Sequence, residues 1–253
     1  MDSKTKNLLQ TLADKYENPS FTQGDPSSFL TAFKNDIRKT EVLAFAAANL
    51  SFGRREQFLP KIEIIKENLD KLLQGKKLES ILNSKKCGEP IFSEDNKFYR
   101  FYSYRDINLL FERIRVILKE AESLGNYFEK AYRQDKKDLY EIISRNFPDC
   151  RIVSSGKNSA HKRINMFLRW MVRGPSPVDI GLWKWYPKEK LIIPLDTHVL
   201  AEAKELHLLE EKAKADLKSA KALTALMCQV FPGDPVKADY ALFGLGIEKS
   251  KKQ

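Results

Sequence analysis

Residues 40–52, TEVLAFAAANLSF, form an almost wholly apolar segment that ends at Gly53. A helix that is apolar on every side must be covered on every side by other elements. The segments around it show the three- and four-residue spacing of amphipathic helices, as in residues 58–72 and 107–121. Strand signals are scarce. The periodicity is lost from Lys85 to Ser103, which we predict to be a loop. The fold class predicted from these patterns is all-α.

The charge balance predicts the kind of partner. The chain has 253 residues, a net charge of +10 and a pI near 9.3. Such an excess of positive charge favours polyanionic partners such as nucleic acids. No apolar run approaches the roughly 20 residues that span a bilayer, and residues 1–18 lack a signal-peptide core. We therefore expect a cytoplasmic protein with no membrane partner.

The cysteines and histidines argue against a metal centre. Cys87, Cys150 and Cys228 are far apart and cannot supply the four thiolates of an iron–sulfur cluster. The three histidines show no ligand spacing with one another or with the cysteines. We predict no metal and no cofactor.

The stretch from Ser154 to Leu200 contains the residues that are candidates for catalysis. Ser159 is predicted to cap a helix that ends at Arg173. Four polar residues of this helix recur at steps of three or four and are predicted to share the face opposite its apolar stripe: Lys162, Asn165, Arg169 and Arg173. An insert bounded by prolines follows, and it carries two tryptophans.

Lys162 and Asp196 are the candidate catalytic pair within this stretch. A lysine near a helix N-terminus in a partly apolar setting is a candidate nucleophile, because desolvation favours the neutral amine. Asp196 precedes the predicted helix THVLAEAKELHL and is suited to cap it. Taken singly, the first could equally be a surface lysine and the second an ordinary helix cap.

The two motifs together resemble a known superfamily. HKRINMFLRWMV (161–172), followed by PLDTHV (194–199), is similar to the helix-hairpin-helix DNA glycosylases, the superfamily that contains endonuclease III. By this resemblance Lys162 takes the place of the Schiff-base lysine and Asn165 that of an asparagine three residues later. Asp196 to Val199 take the place of the Asp-Thr-His-Val element, which includes His198 and whose aspartate is the essential carboxylate.

Two departures from the superfamily pattern matter. Lys162 and Asp196 are 34 residues apart, which is longer than in endonuclease III and similar to the archaeal 8-oxoguanine glycosylases. The usual Leu-Pro-Gly-Val-Gly hairpin is replaced by Val153 to Asn158, with Gly156 as its one glycine. The chain as a whole is similar to an uncharacterised bacterial family of the superfamily, on LSFGRREQ, residues 161–199 and DPVKADYALFGLGI. Asp179, only 17 residues after Lys162, remains an alternative carboxylate.

The resemblance also implies DNA contacts, and Asn165 and His198 are expected to be among them. Arg54 and Arg55 are expected to fill the gap that a flipped base leaves, or to form an ordinary exposed turn. Gly156 and Lys157 are expected to hold a phosphate, as are Arg169 and Arg173. Trp183 and Trp185 are expected to stack on the flipped base or to pack the insert, with packing favoured for one of them.

The function implied is base-excision repair near the nucleoid. We expect a monomeric DNA glycosylase with lyase activity that removes an oxidised base, 8-oxoguanine first, from double-stranded DNA. The expected fold has two helical lobes around a cleft, one of residues 40–160 and one of residues 1–39 with 161–253. The alternatives are a non-catalytic nucleic-acid-binding protein of this fold and a monofunctional glycosylase in which Asp196 activates water.

Overall fold

A computed structural model shows an all-α protein, as the sequence predicts. The structure describes residues 1–20, 23–85 and 92–250. Cys87 lies outside these ranges. Within them no helix combines the length and apolarity that a membrane span requires. The α-helices, in chain order, are α1 (Ser3–Tyr16), α2 (Ile37–Leu50), α3 (Arg55–Glu67), α4 (Leu69–Leu73), α5 (Leu78–Asn83), α6 (Tyr104–Glu120), α7 (Leu124–Asp135), α8 (Leu139–Arg145), α9 (Lys162–Val172), α10 (Thr197–Glu205), α11 (Leu217–Met227) and α12 (Ala238–Ser250).

Short elements complete the secondary structure. The 3-10 helices span Pro26–Thr31, Lys188–Lys190 and Pro235–Lys237. The strands β1 (Lys97–Tyr99) and β2 (Tyr102–Ser103) pair antiparallel in a small hairpin. The prediction of a loop from Lys85 to Ser103 is therefore wrong for this part. Phe98, Tyr99 and Tyr102 of the hairpin are buried, and the strands pack against α3 and α6, which helical periodicity alone does not predict.

The chain forms two compact units, residues 24–154 and residues 1–23 with 155–253. The segment 24–39, which we assigned to the second lobe, thus belongs with the central residues. Its 3-10 helix packs against α2, and the carbonyl of Phe33 accepts a 2.8 Å hydrogen bond from the Thr40 hydroxyl. These local contacts fix the segment to the helix that follows it.

Helix α2 is the core of the unit of residues 24–154. Every residue from Thr40 to Leu50 is buried, which confirms the prediction that this helix is covered on all sides. It packs against α3, α7 and the 3-10 helix before it. The periodic segment 58–72 is not one helix but two, α3 and α4, because the chain breaks at Asn68, whose amide donates to the carbonyl of Ile64.

The unit of residues 1–23 and 155–253 is built on a pairing of its terminal helices. Helix α1 packs along α12, and α10 also packs on α12. Helix α9 is almost entirely buried, from Ile164 to Val172. The expected amphipathic pattern is therefore wrong for α9, because polar side chains of this helix face inward as well. This helix carries the first residue of the candidate site.

Candidate active site

Lys162 is the first residue of α9, and a folded turn places it there. Gly156 adopts a φ of 100°, a conformation that other residues rarely adopt. A Cβ atom at this position would have no atom within 4 Å of it. Ser159 then forms an isolated β-bridge with Asp216, and its hydroxyl accepts from the His161 amide at 3.1 Å. The predicted N-cap at Ser159 is thus wrong, because Ser159 caps this turn and α9 begins three residues later.

Asp196 caps α10, as predicted. Its Oδ1 accepts from the backbone amides of His198 and Val199 at 2.9 Å each. Its Oδ2 lies 3.7 Å from Nζ of Lys162. The side chains of Lys162 and Asp196 are 30% and 27% exposed. The fold therefore brings the two candidate catalytic residues together at the surface, across the 34 residues between them.

Asp179, the alternative carboxylate, has a different setting. Its side chain is completely buried. Its oxygens accept from Nε of Arg169 at 3.3 Å and from a terminal nitrogen of Arg173 at 2.9 Å. Two guanidinium groups therefore hold it away from solvent. This arrangement favours Asp196 as the partner of Lys162.

Arg169 and Arg173 are structural residues, which corrects the prediction that they contact phosphates. Both are buried, and their guanidinium groups also lie over the ring of Tyr240. Their acidic partners besides Asp179 come from distant parts of the unit: Asp239 for Arg169, and Glu17 and Asp234 for Arg173. Burial alone would lower the pKa of each guanidinium, but the neighbouring carboxylates raise it above the ordinary value and keep both arginines charged.

Asp239 is a site neighbour that the sequence analysis did not single out. It lies at the start of α12, is buried, and accepts a hydrogen bond from Arg169. Burial raises the pKa of Asp239 to about 6; Arg169 and Lys162 oppose this shift, and the negative charge of Asp196 adds to it. Asp239 thus links the buried ion pairs to the exposed pair at Lys162. The only sequence feature that pointed to Asp239 was its place in the segment DPVKADYALFGLGI.

The two tryptophans of the insert differ in exposure. Trp183 is 1% exposed, and its ring meets that of Phe167 edge-on at 5.2 Å. Trp185 is half-buried and stacks on Trp183, with ring centroids 5.5 Å apart. The prediction that one of the two packs the insert is confirmed for Trp183. Trp185 stays a candidate for base stacking.

Asn165 is not placed to contact DNA, contrary to prediction. It is 2% exposed, and its amide donates to the carbonyl of Ala160 at 3.0 Å. It stabilises the turn that precedes Lys162. By contrast, Lys157 and His198 are exposed and remain candidate contacts, together with Gly156.

Arg54 and Arg55 belong to the unit of residues 24–154. Arg54 is exposed at the N-cap of α3, directly after Gly53. Arg55 lies 3.5 Å from Asp25, so part of its charge is neutralised locally. Of the two, Arg54 is the better candidate for contact with a ligand.

No metal site is apparent in the described ranges 1–20, 23–85 and 92–250, where no three His, Cys, Asp or Glu side chains cluster suitably. The pair of Lys162 and Asp196 offers an amine and a carboxylate, which suit nucleophilic and proton-transfer chemistry.

The family comparison covers most of the chain. Residues 25–248 match the model of the family described as "Protein of unknown function (DUF2400)", and the chain belongs to this family. No curated protein and no solved structure gives a significant match.

Proposed function

We propose that this protein is a DNA glycosylase with lyase activity, of the helix-hairpin-helix fold, acting on an oxidised base in duplex DNA. The observation that carries the proposal is the pair itself: Nζ of Lys162 lies 3.7 Å from Oδ2 of Asp196, with both side chains partly exposed. The ion pairs of Arg169, on the same helix, are buried and closed. A buried pair supports the fold, whereas an exposed amine beside a carboxylate is accessible to a substrate.

The proposed chemistry uses both residues. The amine of Lys162 must lose a proton before it attacks, and Asp196 is close enough to accept it. Nitrogen then bonds to C1′ of the damaged nucleotide while the bond from C1′ to the base breaks, and the base leaves with the electron pair. Opening of the sugar gives a Schiff base, from which β-elimination cleaves the strand. In its ionised form Asp196 also stabilises the positive charge that develops on the sugar.

The position of Asp196 suits this role for a structural reason. One oxygen is fixed by two backbone amides of α10, so the carboxylate cannot rotate freely. The other oxygen stays directed at the amine. Such a preorganised carboxylate needs little rearrangement when charge develops nearby.

A DNA partner is supported by charge and by the turn before α9. The net charge of +10 favours polyanions. The space beside Gly156 is empty and Lys157 is exposed. The backbone of Gly156 and the side chain of Lys157 are therefore accessible to a phosphate in the turn before α9. The proposed lesion is 8-oxoguanine, on the resemblance to the archaeal enzymes, with an oxidised pyrimidine next.

Borohydride trapping tests the proposal. The wild-type chain is mixed with a duplex that carries one 8-oxoguanine, and borohydride reduces any Schiff base to a stable protein–DNA adduct. We expect an adduct with the wild type and none with Lys162→Gln. Lys237→Gln is the matched control, because Lys237 is 27% exposed and pairs with Asp14 at 2.6 Å, yet it lies outside the proposed site. It should trap like the wild type.

The other outcomes identify the alternatives. Base release without an adduct indicates a monofunctional glycosylase in which Asp196 activates water. Duplex binding without release, across a panel of oxidised bases, indicates a non-catalytic binding protein. An adduct that persists in Lys162→Gln contradicts the assignment of the nucleophile.

The DNA partner has a separate test in the salt dependence of binding. Displacement of counterions from several phosphates predicts that the logarithm of the affinity falls linearly with the logarithm of salt concentration. Fluorescence anisotropy with an undamaged duplex measures this slope. Affinity that does not change with salt contradicts the proposed partner.

A further inference from the structure

Lys61 is a half-buried lysine of α3 that has no acidic partner. Its Nζ lies 5.1 Å from the centre of the ring of Phe98, a residue of strand β1, and this strand packs against α3. Within residues 1–20, 23–85 and 92–250, no carboxylate is within ion-pair distance of Lys61. An ammonium group that is partly buried without a countercharge is costly. The charge state of Lys61 therefore needs an explanation.

Lys66, five residues later on the same helix, is the closest comparison for Lys61. It is also half-buried, and its Nζ lies 5.8 Å from the centre of the Phe29 ring. Unlike Lys61, it forms an ion pair with Glu63, about one turn earlier on the helix. A ring face attracts a cation, and this attraction is common to both lysines. The carboxylate is the feature that distinguishes the two.

The absence of a carboxylate affects the protonation of the amine. Burial lowers the pKa of Lys61. Lysines with an acidic partner show the opposite direction: Lys39 donates a hydrogen bond to Asp70 and Lys77 donates one to Glu94, and each bond raises the pKa of its lysine. An amine with a lowered pKa carries a free, nucleophilic lone pair in a larger fraction of the molecules at neutral pH.

We propose that Lys61 is a site of acylation by a small acyl phosphate, for which acetyl phosphate is the probe. The lone pair of Nζ attacks the carbonyl carbon, and a carbon–nitrogen bond forms. The bond from that carbon to the phosphate oxygen breaks, phosphate leaves with the electron pair, and the extra proton on nitrogen passes to solvent. The product is a neutral amide. The inference is independent of the proposed function, since no residue of the pair Lys162 and Asp196 takes part.

The fold is expected to tolerate this modification at Lys61. Acylation of Lys66 would leave Glu63 without its partner, whereas acylation of Lys61 breaks no ion pair. Loss of a partly buried charge without a countercharge also removes a desolvation cost. Lys61→Gln, which mimics the neutral amide, should therefore unfold at the same denaturant concentration as the wild type or at a higher one. Unfolding at a clearly lower concentration contradicts the inference.

Site-resolved acetylation measures the reactivity of the two amines. The native chain is treated with acetyl phosphate at neutral pH, and tandem mass spectrometry of samples taken at short times gives the initial rate at each lysine. We expect Lys61 to react about fivefold faster than Lys66, because its amine is more often unprotonated and because an ion pair holds the proton of Lys66. In the chain unfolded in guanidinium chloride, the two rates should be equal.

Glu63→Gln is the matched variant, because it removes the carboxylate and leaves both lysines in place. The rate at Lys66 should rise towards that at Lys61, while the rate at Lys61 stays as in the wild type. A rate at Lys66 that does not rise overturns the inference, since the carboxylate would then not be the cause of the difference. It is also overturned if Lys61 reacts no faster than Lys66 in the native chain, or if the same ratio persists after unfolding.

Discussion

At its N-terminal end, α9 places Lys162 beside Asp196, and both side chains keep over a quarter of their surface in solvent. At its C-terminal end, the same helix leads into Arg169 and Arg173, which are buried among four carboxylates. Both ends pair cations with acids, and both lie in the segment that resembles the glycosylase motif. Only the first pair leaves reactive atoms accessible. Exposure, rather than residue type or spacing, thus separates the candidate site from the structural network.

The contrast has a physical basis. A buried ion pair is stable only when all its donors and acceptors are matched, so removal of one partner leaves an uncompensated charge in the interior. An exposed pair is weak in itself, typically below about 1 kcal/mol, and its loss costs little stability. The two ends of α9 should therefore respond in opposite ways to substitution.

The largest effect is expected at the buried end. Arg173→Met removes the guanidinium that contacts Glu17, Asp179 and Asp234, and it should lower the free energy of unfolding by about 3–5 kcal/mol. Urea denaturation measures this change. Lys157→Met, an exposed change of the same kind, should stay within about 0.5 kcal/mol. Equal costs for the two variants contradict a buried structural role for Arg173.

The two candidate carboxylates provide the next comparison. Asp179→Asn leaves two buried guanidinium groups short of a negative charge and should cost about 3 kcal/mol of unfolding free energy. Asp196→Asn should cost less than about 0.5 kcal/mol, because asparagine caps a helix about as well as aspartate. Thermal or urea unfolding of both variants checks the order. The reverse order would show that the assignment of the two roles is wrong.

Activity should follow the opposite order. Asp196→Asn should slow formation of the trapped adduct about a hundredfold, because the amine loses its proton acceptor and the sugar its stabilising charge. Single-turnover trapping measures this rate. Asp14→Asn, which removes one of the two acidic partners of the control Lys237, should leave this rate unchanged. A normal rate in Asp196→Asn excludes Asp196 as the catalytic carboxylate.

The smallest effect concerns Asp239, which connects the two ends. Its pKa is raised from 3.8 to about 6, so the folded state binds a proton more tightly than the unfolded state. The resulting stabilisation is fully present below the unfolded pKa of 3.8 and is lost as the pH rises through 6. It amounts to about 3 kcal/mol in total, of which roughly 2 kcal/mol is lost between pH 4 and pH 7.

Asp239→Asn removes the titrating group. As the pH rises from 4 to 7, the unfolding free energy of the wild type should therefore fall relative to that of the variant. Urea denaturation at several pH values measures it. A difference that is constant over this range contradicts the raised pKa of Asp239.

The sequence was sufficient to predict the features that depend only on residues close together in the chain. Asp196 caps α10 because an aspartate before a helix has backbone amides within reach. Residues 42–48 are buried because they are apolar on all sides of the helix. The spacing of Lys162 and Asn165 also placed both correctly near the start of one helix, although Asn165 turns inward to the carbonyl of Ala160.

The sequence could not predict which cations are buried. Arg169 and Arg173 have the spacing of an exposed basic face. Their burial depends on Asp179 and on three acids that are distant in sequence, Glu17, Asp234 and Asp239. No local pattern reveals such a pairing across more than 60 residues of chain. The β1–β2 hairpin was not predicted for a related reason: Arg100 occupies the connection between its strands with a φ of 51°, where glycine or asparagine is usual.

The measurement that most directly tests the central claim is the location of the trapped adduct on the chain. After borohydride reduction with the 8-oxoguanine duplex, nuclease and protease digestion leave a sugar remnant on one lysine, which tandem mass spectrometry identifies. Because Lys162 is the amine that the structure holds at the surface beside Asp196 at the start of α9, the predicted site is Lys162 alone. A remnant on any other lysine, or no remnant on a chain that binds the duplex, would contradict the account.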